Sequence, residues 1–504
     1  MHLDRKEKNS MKVLMIAAEA VPFAKVGGLG DVLGALPAAL RSLDVQVRVV
    51  IPKYQSIDKG RYNLLPLGDH PVRQVLLGRI PVPVQYYHTV LPDTDVPVYL
   101  VGNDAFFQRP GIYDDPISGH GYEDNGERFL FFSRAALALL EGLDWVPDII
   151  HCHDSQTGMI PAYIRTGMGP AACTLSSTVY TIHNMGYLGL FPKSILYPAG
   201  LSEGFFYPGS PLEFYDHVCL MKAALSYADC LNTVSESYAI EIQSSAEFGA
   251  GLDGVLRTRR SDLFGIMNGI DYKTWNPADD PKIPYHYSMD DISGKYENKK
   301  ELLLRCGWQT PKERIPILGM ISRLTDQKGF DLVLARLEEI LSLPLRLVIL
   351  GSGNKAYEQV LQQAMLRHPD RISVHLRFDD ALAHLIEAGS DMFLMPSKYE
   401  PCGLNQLYSM RYGTLPVVRA TGGLRDSVID DDHNPYRGTG FSFEAYSAEA
   451  MMEALHRSLR AFQDVSRWSY MMNRAMSCDF SWNHSAEKYK ELYLYAISKR
   501  RPAY

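Results

Sequence analysis

At 504 residues the chain is too long for one ordinary core, and two domains of about 200–250 residues each are expected. Hydrophobic residues make up 46% and charged residues 22%, and the formal charge is −7. That balance argues against nucleic acid or an anionic membrane as the main partner, so any anion must be held by local cations. Seven scattered cysteines without a Cys-x-x-Cys pair, no secretory signal and no apolar run of ~18 residues read as free thiols in a reducing, cytoplasmic setting without a membrane span.

Residues 1–10 read as a polar tail, and residues 12–17 as the first strand. A loop over 21–30 carries Lys25-Val26-Gly27-Gly28-Leu29-Gly30. A helix over 31–43 follows, which Pro37 should kink or break, and then a β-branched strand over 45–51. This β-α-β succession predicts a parallel sheet. Residues 52–125, rich in Pro, Gly, Asp and Tyr, read as less regular sheet with strands at 82–90 and 96–101. A helix over 126–143 precedes the strand that ends in His151-Cys152-His153-Asp154, and a second such strand ends in His183-Asn184. A helix over 213–228 and a strand over 230–234 complete this half, and the polar stretch 275–296 reads as an interdomain connection.

From residue 315 the pattern is regular. Strands at 315–322, 345–351, 372–376, 391–395 and 415–418 alternate with helices at 330–343, 355–367, 381–388 and 404–412, a second doubly wound α/β unit. The tail from 448 is helical, and Tyr489, Leu492, Tyr493 and Tyr495 suggest docking onto a neighbouring domain. The expected division is 11–268, 269–475 and a final helix within 476–504 that returns to the first domain.

The stretch that organises the rest is Lys398-Tyr399-Glu400-Pro401-Cys402-Gly403-Leu404-Asn405-Gln406. It places a carboxylate at the carboxyl end of a strand, where open α/β sheets bind ligands, and a helix start behind it offers amides to an anion. That pairing suggests a sugar nucleotide. Arg323 and Lys328 lie in a similar loop and are either a diphosphate clamp or two solvated cations. The glycine-rich loop with Lys25 is either an anion cradle or an ordinary tight turn, because it lacks both G-x-G-x-x-G spacing and a Walker lysine. His151 and His153 share one face of a strand and Cys152 the other, so metal binding is disfavoured. Asp154 suits either a carbohydrate hydroxyl or the upkeep of site geometry, and His183-Asn184 is either a donor–acceptor pair for substrate or a satisfied core histidine with its neighbour.

Together these motifs resemble the bacterial glycogen synthase and plant starch synthase family. The residues that carry the likeness are Lys25-Val26-Gly27-Gly28-Leu29, Ser322-Arg323-Leu324 through Gln327-Lys328-Gly329, Glu400-Pro401-Cys402-Gly403-Leu404, and Tyr412-Gly413-Thr414 leading to Thr421-Gly422-Gly423-Leu424. The resemblance implies an α/β GT-B fold, two Rossmann-like doubly wound domains facing across a deep cleft. It implies glucose transfer from ADP-glucose to the non-reducing end of an α-1,4-glucan with retention, without metal or cofactor; the alternative is a related transferase using UDP-glucose or a small sugar acceptor. Carried over by position, Arg323, Lys328, Glu400, His183 and Asp154 would be catalytic. Lys25, Gly27, Gly28, Asp31, Asn184, Phe378, Cys402, Gly403, Leu404 and Thr421 would bind substrate. Partners would be ADP-glucose and α-1,4-glucan, with no nucleic acid or membrane; the oligomeric state stays open. The chain departs from the family at Ser155-Gln156, Leu188 and Phe378, and Tyr408 stands where broader retaining transferases carry a second glutamate.

Overall fold

The structure, a computed structural model, describes residues 10–68 and 72–500. All but the last residue of the expected tail at 1–10 therefore lies outside the described residues. The chain forms two compact units. One contains residues up to Val234, Ala239–Gly269 and the chain from Trp482; the other contains Ser235–Tyr238 and Ile270–Ser481. The boundaries expected from the sequence are 268/269 and 475/476, against 269/270 and 481/482 here.

The first unit holds β1 (Lys12–Ile16), β2 (Gln46–Pro52), β3 (Leu65–Pro66), β4 (Val72–Leu77), β5 (Ile80–Val90), β6 (Pro97–Gly102), β7 (Ile149–His153) and β8 (Ser177–Ile182). It continues with β9 (Leu190–Phe191), β10 (Glu213–Phe214), β11 (His217–Cys219), β12 (Cys230–Thr233) and β13 (Leu263–Gly265). The main sheet runs β13-β12-β8-β7-β1-β2-β6-β5-β3, with β4 paired to β5; it is parallel from β13 to β6 and antiparallel beyond. Val13 lies opposite Val47 of β2 and Ile149 of β7, and Val13 to Ile16 are wholly buried, as a strand covered on both faces must be. The chain leaves β1 toward β2 and later returns to β7 on the other side. That reversal makes the carboxyl ends of β1 and β7 the place for a ligand.

Three local expectations are corrected. The first helix starts at Gly28, not residue 31, and runs unbroken to Arg41 through a buried Pro37. Residues 213–228 are not one helix: β10 and β11 form a hairpin whose turn residues Tyr215 and Asp216 have φ of 48° and 61°. The Glu213 carboxylate fastens that turn by accepting from the amides of Gly209 and Asp216, and the helix begins only at Leu220. The stretch 275–296 is not a linker, because Ile283 and Tyr287 pack with Ala388, Tyr412 and Met476 in the core of the second unit.

The second unit contains β14 (Ile317–Ile321), β15 (Arg346–Leu350), β16 (Ile372–His375), β17 (Met392–Met395), β18 (Leu415–Arg419) and β19 (Phe441–Phe443). The sheet is parallel, in the order β16-β15-β14-β17-β18-β19. Its reversal lies between β14 and β17. The helix expected over 330–343 breaks at Arg336 into Phe330–Ala335 and Leu337–Ser342. The final helix, Trp482–Arg500, packs in the first unit, where Tyr489 accepts from Asn232 at 3.2 Å and Lys490 donates to the Leu43 carbonyl at 2.8 Å.

Candidate active site

In the second unit the loops after β14 and β17 meet at the reversal point. The Lys398 amide donates to the Gln327 carbonyl at 2.9 Å, and Gly329, at φ 76°, lies so close that a Cβ there would stand 2.1 Å from the Pro396 oxygen. Only glycine permits both this conformation and this approach. The result is a short ion pair: Lys328 Nζ lies 2.6 Å from Glu400 Oε2, which also accepts from Ser397 Oγ at 3.1 Å. Glu400 is buried and Lys328 half-buried, so the pair is shielded from bulk water without being sealed from it.

The helix expected at 404–412 runs over Asn405–Arg411. Its buried Gln406 donates to the carbonyls of Cys402 and Gly403, each at 3.0 Å, and so curves the loop around Glu400. Cys402 is buried and forms no disulfide among the described residues, Leu404 precedes the helix, and Thr421 is buried just before the helix Gly422–Ser427. Lys328, Glu400, Cys402, Gly403, Leu404 and Thr421 thus gather at three adjacent strand ends. Arg323 does not join the ion pair: it is exposed, and its guanidinium has no hydrogen bond or ion pair among the described residues. Phe378 stands beyond β16 and is 91% exposed.

In the first unit the ends of β7 and β8 are tied together. Asp154 has φ of 55°, a strained conformation for a non-glycine residue, and its Oδ1 accepts the His183 amide at 2.8 Å. The Asn184 amide also reaches this carboxyl group, and Asn184 Oδ1 accepts from Gly186. Burial pushes Asp154 up to about 7, against the pull of the two amides and with the nearby Glu19 charge acting in the same direction. A carboxylate raised this far costs stability as pH rises, because between pH ~4 and ~7 the folded chain holds a proton that the unfolded chain has released. Asp154→Asn removes that cost. Its melting temperature should gain on the parent as pH rises from ~4 to ~7 and keep a constant lead above, equivalent to ~4 kcal/mol at most. Parallel melting curves across that range would show that Asp154 ionises freely.

The glycine-rich loop differs from expectation. Its Val26 and Gly27 amides are already engaged, donating to Glu19 Oε2 at 2.6 and 2.9 Å, while Tyr113 donates to Glu19 Oε1 at 2.6 Å. Lys25 pairs with Asp31 at 2.7 Å, and Gly28 begins the helix. Glu19 is hard to see in the sequence because it sits within the apolar run Ile16-Ala17-Ala18-Glu19-Ala20-Val21; a lone carboxylate just past a buried strand is the available signal. Ser397 and Tyr113 carry no sequence signal of their own, and Gln406 lies in the organising stretch without a role legible from sequence. Among the described residues no group of three or more His, Cys, Asp or Glu side chains is placed to hold a metal ion, and no helix is long and apolar enough to cross a membrane.

The family profile described as "Starch synthase catalytic domain" matches residues 12–258, and "Glycosyl transferases group 1" matches residues 308–470. The "Glycogen synthase" of Geotalea daltonii is 46% identical over 491 residues, which is 97% of this chain and 100% of that protein. The chain belongs to the glycogen and starch synthase family.

Another glycogen synthase, from Moorella thermoacetica, is 43% identical over 98% of each chain. Among solved structures, the catalytic domain of Starch Synthase IV from Arabidopsis thaliana, bound to ADP and acarbose, matches with a TM-score of 0.89 and 34% identity, over 97% of this chain and 100% of that one. A sucrose-phosphate synthase from Thermosynechococcus elongatus, at 16% identity and a TM-score of 0.59, shares the fold alone. The fold is accordingly GT-B, built from two Rossmann-like units, and the protein is a glycosyltransferase that extends glucan chains by glucosyl transfer. In this chain the Lys328 and Glu400 loops leave neighbouring strands of one sheet, and the two side chains touch.

Proposed function

We propose that the chain transfers glucose from ADP-glucose to the non-reducing 4-OH of an α-1,4-glucan with retention of configuration, and that the Lys328–Glu400 site holds the donor. The observation that carries this reading is the 2.6 Å ion pair at the β14/β17 reversal, a cation and an acceptor within reach of one ligand. Cleaving a glycosyl–phosphate bond leaves negative charge on the departing ADP and positive charge on the sugar. Lys328, with the unengaged Arg323, stabilises the first. Once Lys328 turns to phosphate, Glu400 is released to accept from glucose hydroxyls. The β-phosphate oxygen takes the proton of the incoming hydroxyl, so no protein carboxylate need act as base. Phe378 offers an exposed ring for adenine. In the first unit Asp154 holds His183 and Asn184 where they border sugar and acceptor, and Lys25, Gly27, Gly28 and Asp31 serve the nucleotide sugar. For the two amides of that loop, Val26 and Gly27, the Glu19 carboxylate already fills the role of an anion.

A donor and acceptor panel tests this directly. Glycogen with ADP-glucose should give a higher kcat/KM than glycogen with UDP-glucose, and maltooligosaccharides should accept where monosaccharides and sugar phosphates do not. Preference for UDP-glucose or for a monosaccharide acceptor overturns the assignment.

A further inference from the structure

Beside His183 lies a buried ring that the chemistry above does not use. His153, wholly buried on β7, lies against His151 with ring centroids 4.0 Å apart and the rings tilted by 36°. Its Nδ1 lies 3.0 Å from Nε2 of His183, while its own Nε2 is buried without a hydrogen-bond partner among the described residues. Burial lowers both rings well below the usual histidine range, so each is neutral and one proton lies between the paired nitrogens.

Two arrangements satisfy that count. If His183 Nε2 carries the proton, His153 must hold its own at Nε2, as a buried N–H with no acceptor. If His153 Nδ1 carries it, the partnerless Nε2 of His153 is only a bare lone pair. Orphaned buried N–H groups are the rarer defect, so the second arrangement is favoured. The neighbouring ring does not disturb it. Thr181 donates to Asn232 Oδ1 at 2.6 Å and must therefore accept from His151 Nε2–H, also at 2.6 Å. Tyr493 then donates to His151 Nδ1 at 2.8 Å, so His151 is fully engaged and offers nothing to His153.

We infer that His153 is a positioning residue that locks His183 as its Nδ1–H tautomer, so that His183 meets substrate with a hydrogen-bond donor. The inference deepens the proposed role of His183 at the sugar and rests on it. The recipient is a hydroxyl oxygen of the transferred or accepting sugar. His183 has its one lone pair at Nε2, facing His153, so its Nδ1 edge cannot act as a base; the acceptor's proton goes to the departing phosphate.

The test uses the full chain with ¹⁵N-labelled histidine rings, read by long-range ¹H–¹⁵N correlation at neutral pH and assigned with His153→Asn and His183→Asn. Both rings should be protonated at Nδ1 and bare at Nε2; a proton on His183 Nε2, or a doubly protonated ring, overturns the inference. A kinetic arm compares two variants at equal melting temperature. His153→Asn keeps an N–H near the lost Nδ1, whereas His153→Asp offers only an acceptor and moves the His183 proton to Nε2. Turnover should be at least ~10-fold higher in the Asn than in the Asp variant. Equal turnover of the two would overturn the positioning role, and if the Asp variant does not fold, the spectra of the parent protein decide alone. Should the tautomers be as stated while His183→Ala turns over like the parent, the role of His183 at the sugar falls and the tautomer assignment stands.

Discussion

Lys328→Ala and Glu400→Ala should each lower kcat for glucan extension by ~10²-fold or more, because each removes a group whose interaction grows as charge separates in the transition state. The ion pair adds a second, distinct expectation. Either single substitution strands its partner's charge in a half-buried site, so the melting temperature should fall in both. The double variant removes both charges and should recover part of that loss while turning over no faster than the singles. Its kcat should also fall less than the product of the single effects, since each single substitution already breaks the pair that holds the other group in place. Incorporation of labelled glucose into glycogen gives kcat, and calorimetry gives the melting temperature. Parent-like turnover in both single variants would remove the pair from the chemistry.

Gly423→Ala should disable the same site without touching any charge. A Cβ at Gly423 would lie 2.0 Å from the Cys402 oxygen, and the Gly423 amide is shared between the carbonyls of Glu400 and Pro401, each at 3.2 Å. The obstacle is backbone on both sides, so neither can swing aside as a flexible side chain would. The Glu400 loop must move by about 1 Å, enough to cost ~10²-fold in kcat, with ~1–3 kcal/mol of stability lost to overpacking. Gly204→Ala is the steric control, since its Cβ would meet nothing nearer than Ser202 Oγ at 3.5 Å. If Gly423→Ala turned over within twofold of that control, the loop would have room that the geometry denies it.

How far the fold can be read from the chain depends on the element. In the second unit β14, β15 and β17 are largely apolar runs of four or five residues because a parallel sheet is covered on both faces, and that pattern is local. Residues 213–228 misled because turn residues at positive φ without glycine leave no mark in composition. The stretch 275–296 misled for another reason: a few anchors, Trp275, Ile283 and Tyr287, outweigh a polar majority once each finds a partner. Pro37 sits in a helix interior yet the helix continues around it, so burial overrides the local penalty.

The sequence by itself determined the family, because the short motifs with Lys25, Arg323, Lys328 and Glu400 that carry it are contiguous in the chain. Tertiary structure alone decided who touches whom. Lys328 and Glu400 are 72 residues apart and meet because β14 and β17 are neighbours at a reversal of strand order. Glu19 claims the glycine-loop amides, and His153 reaches His183 across β7 and β8. Those partnerships depend on strand order and close backbone approach, and neither is written in any local stretch of residues.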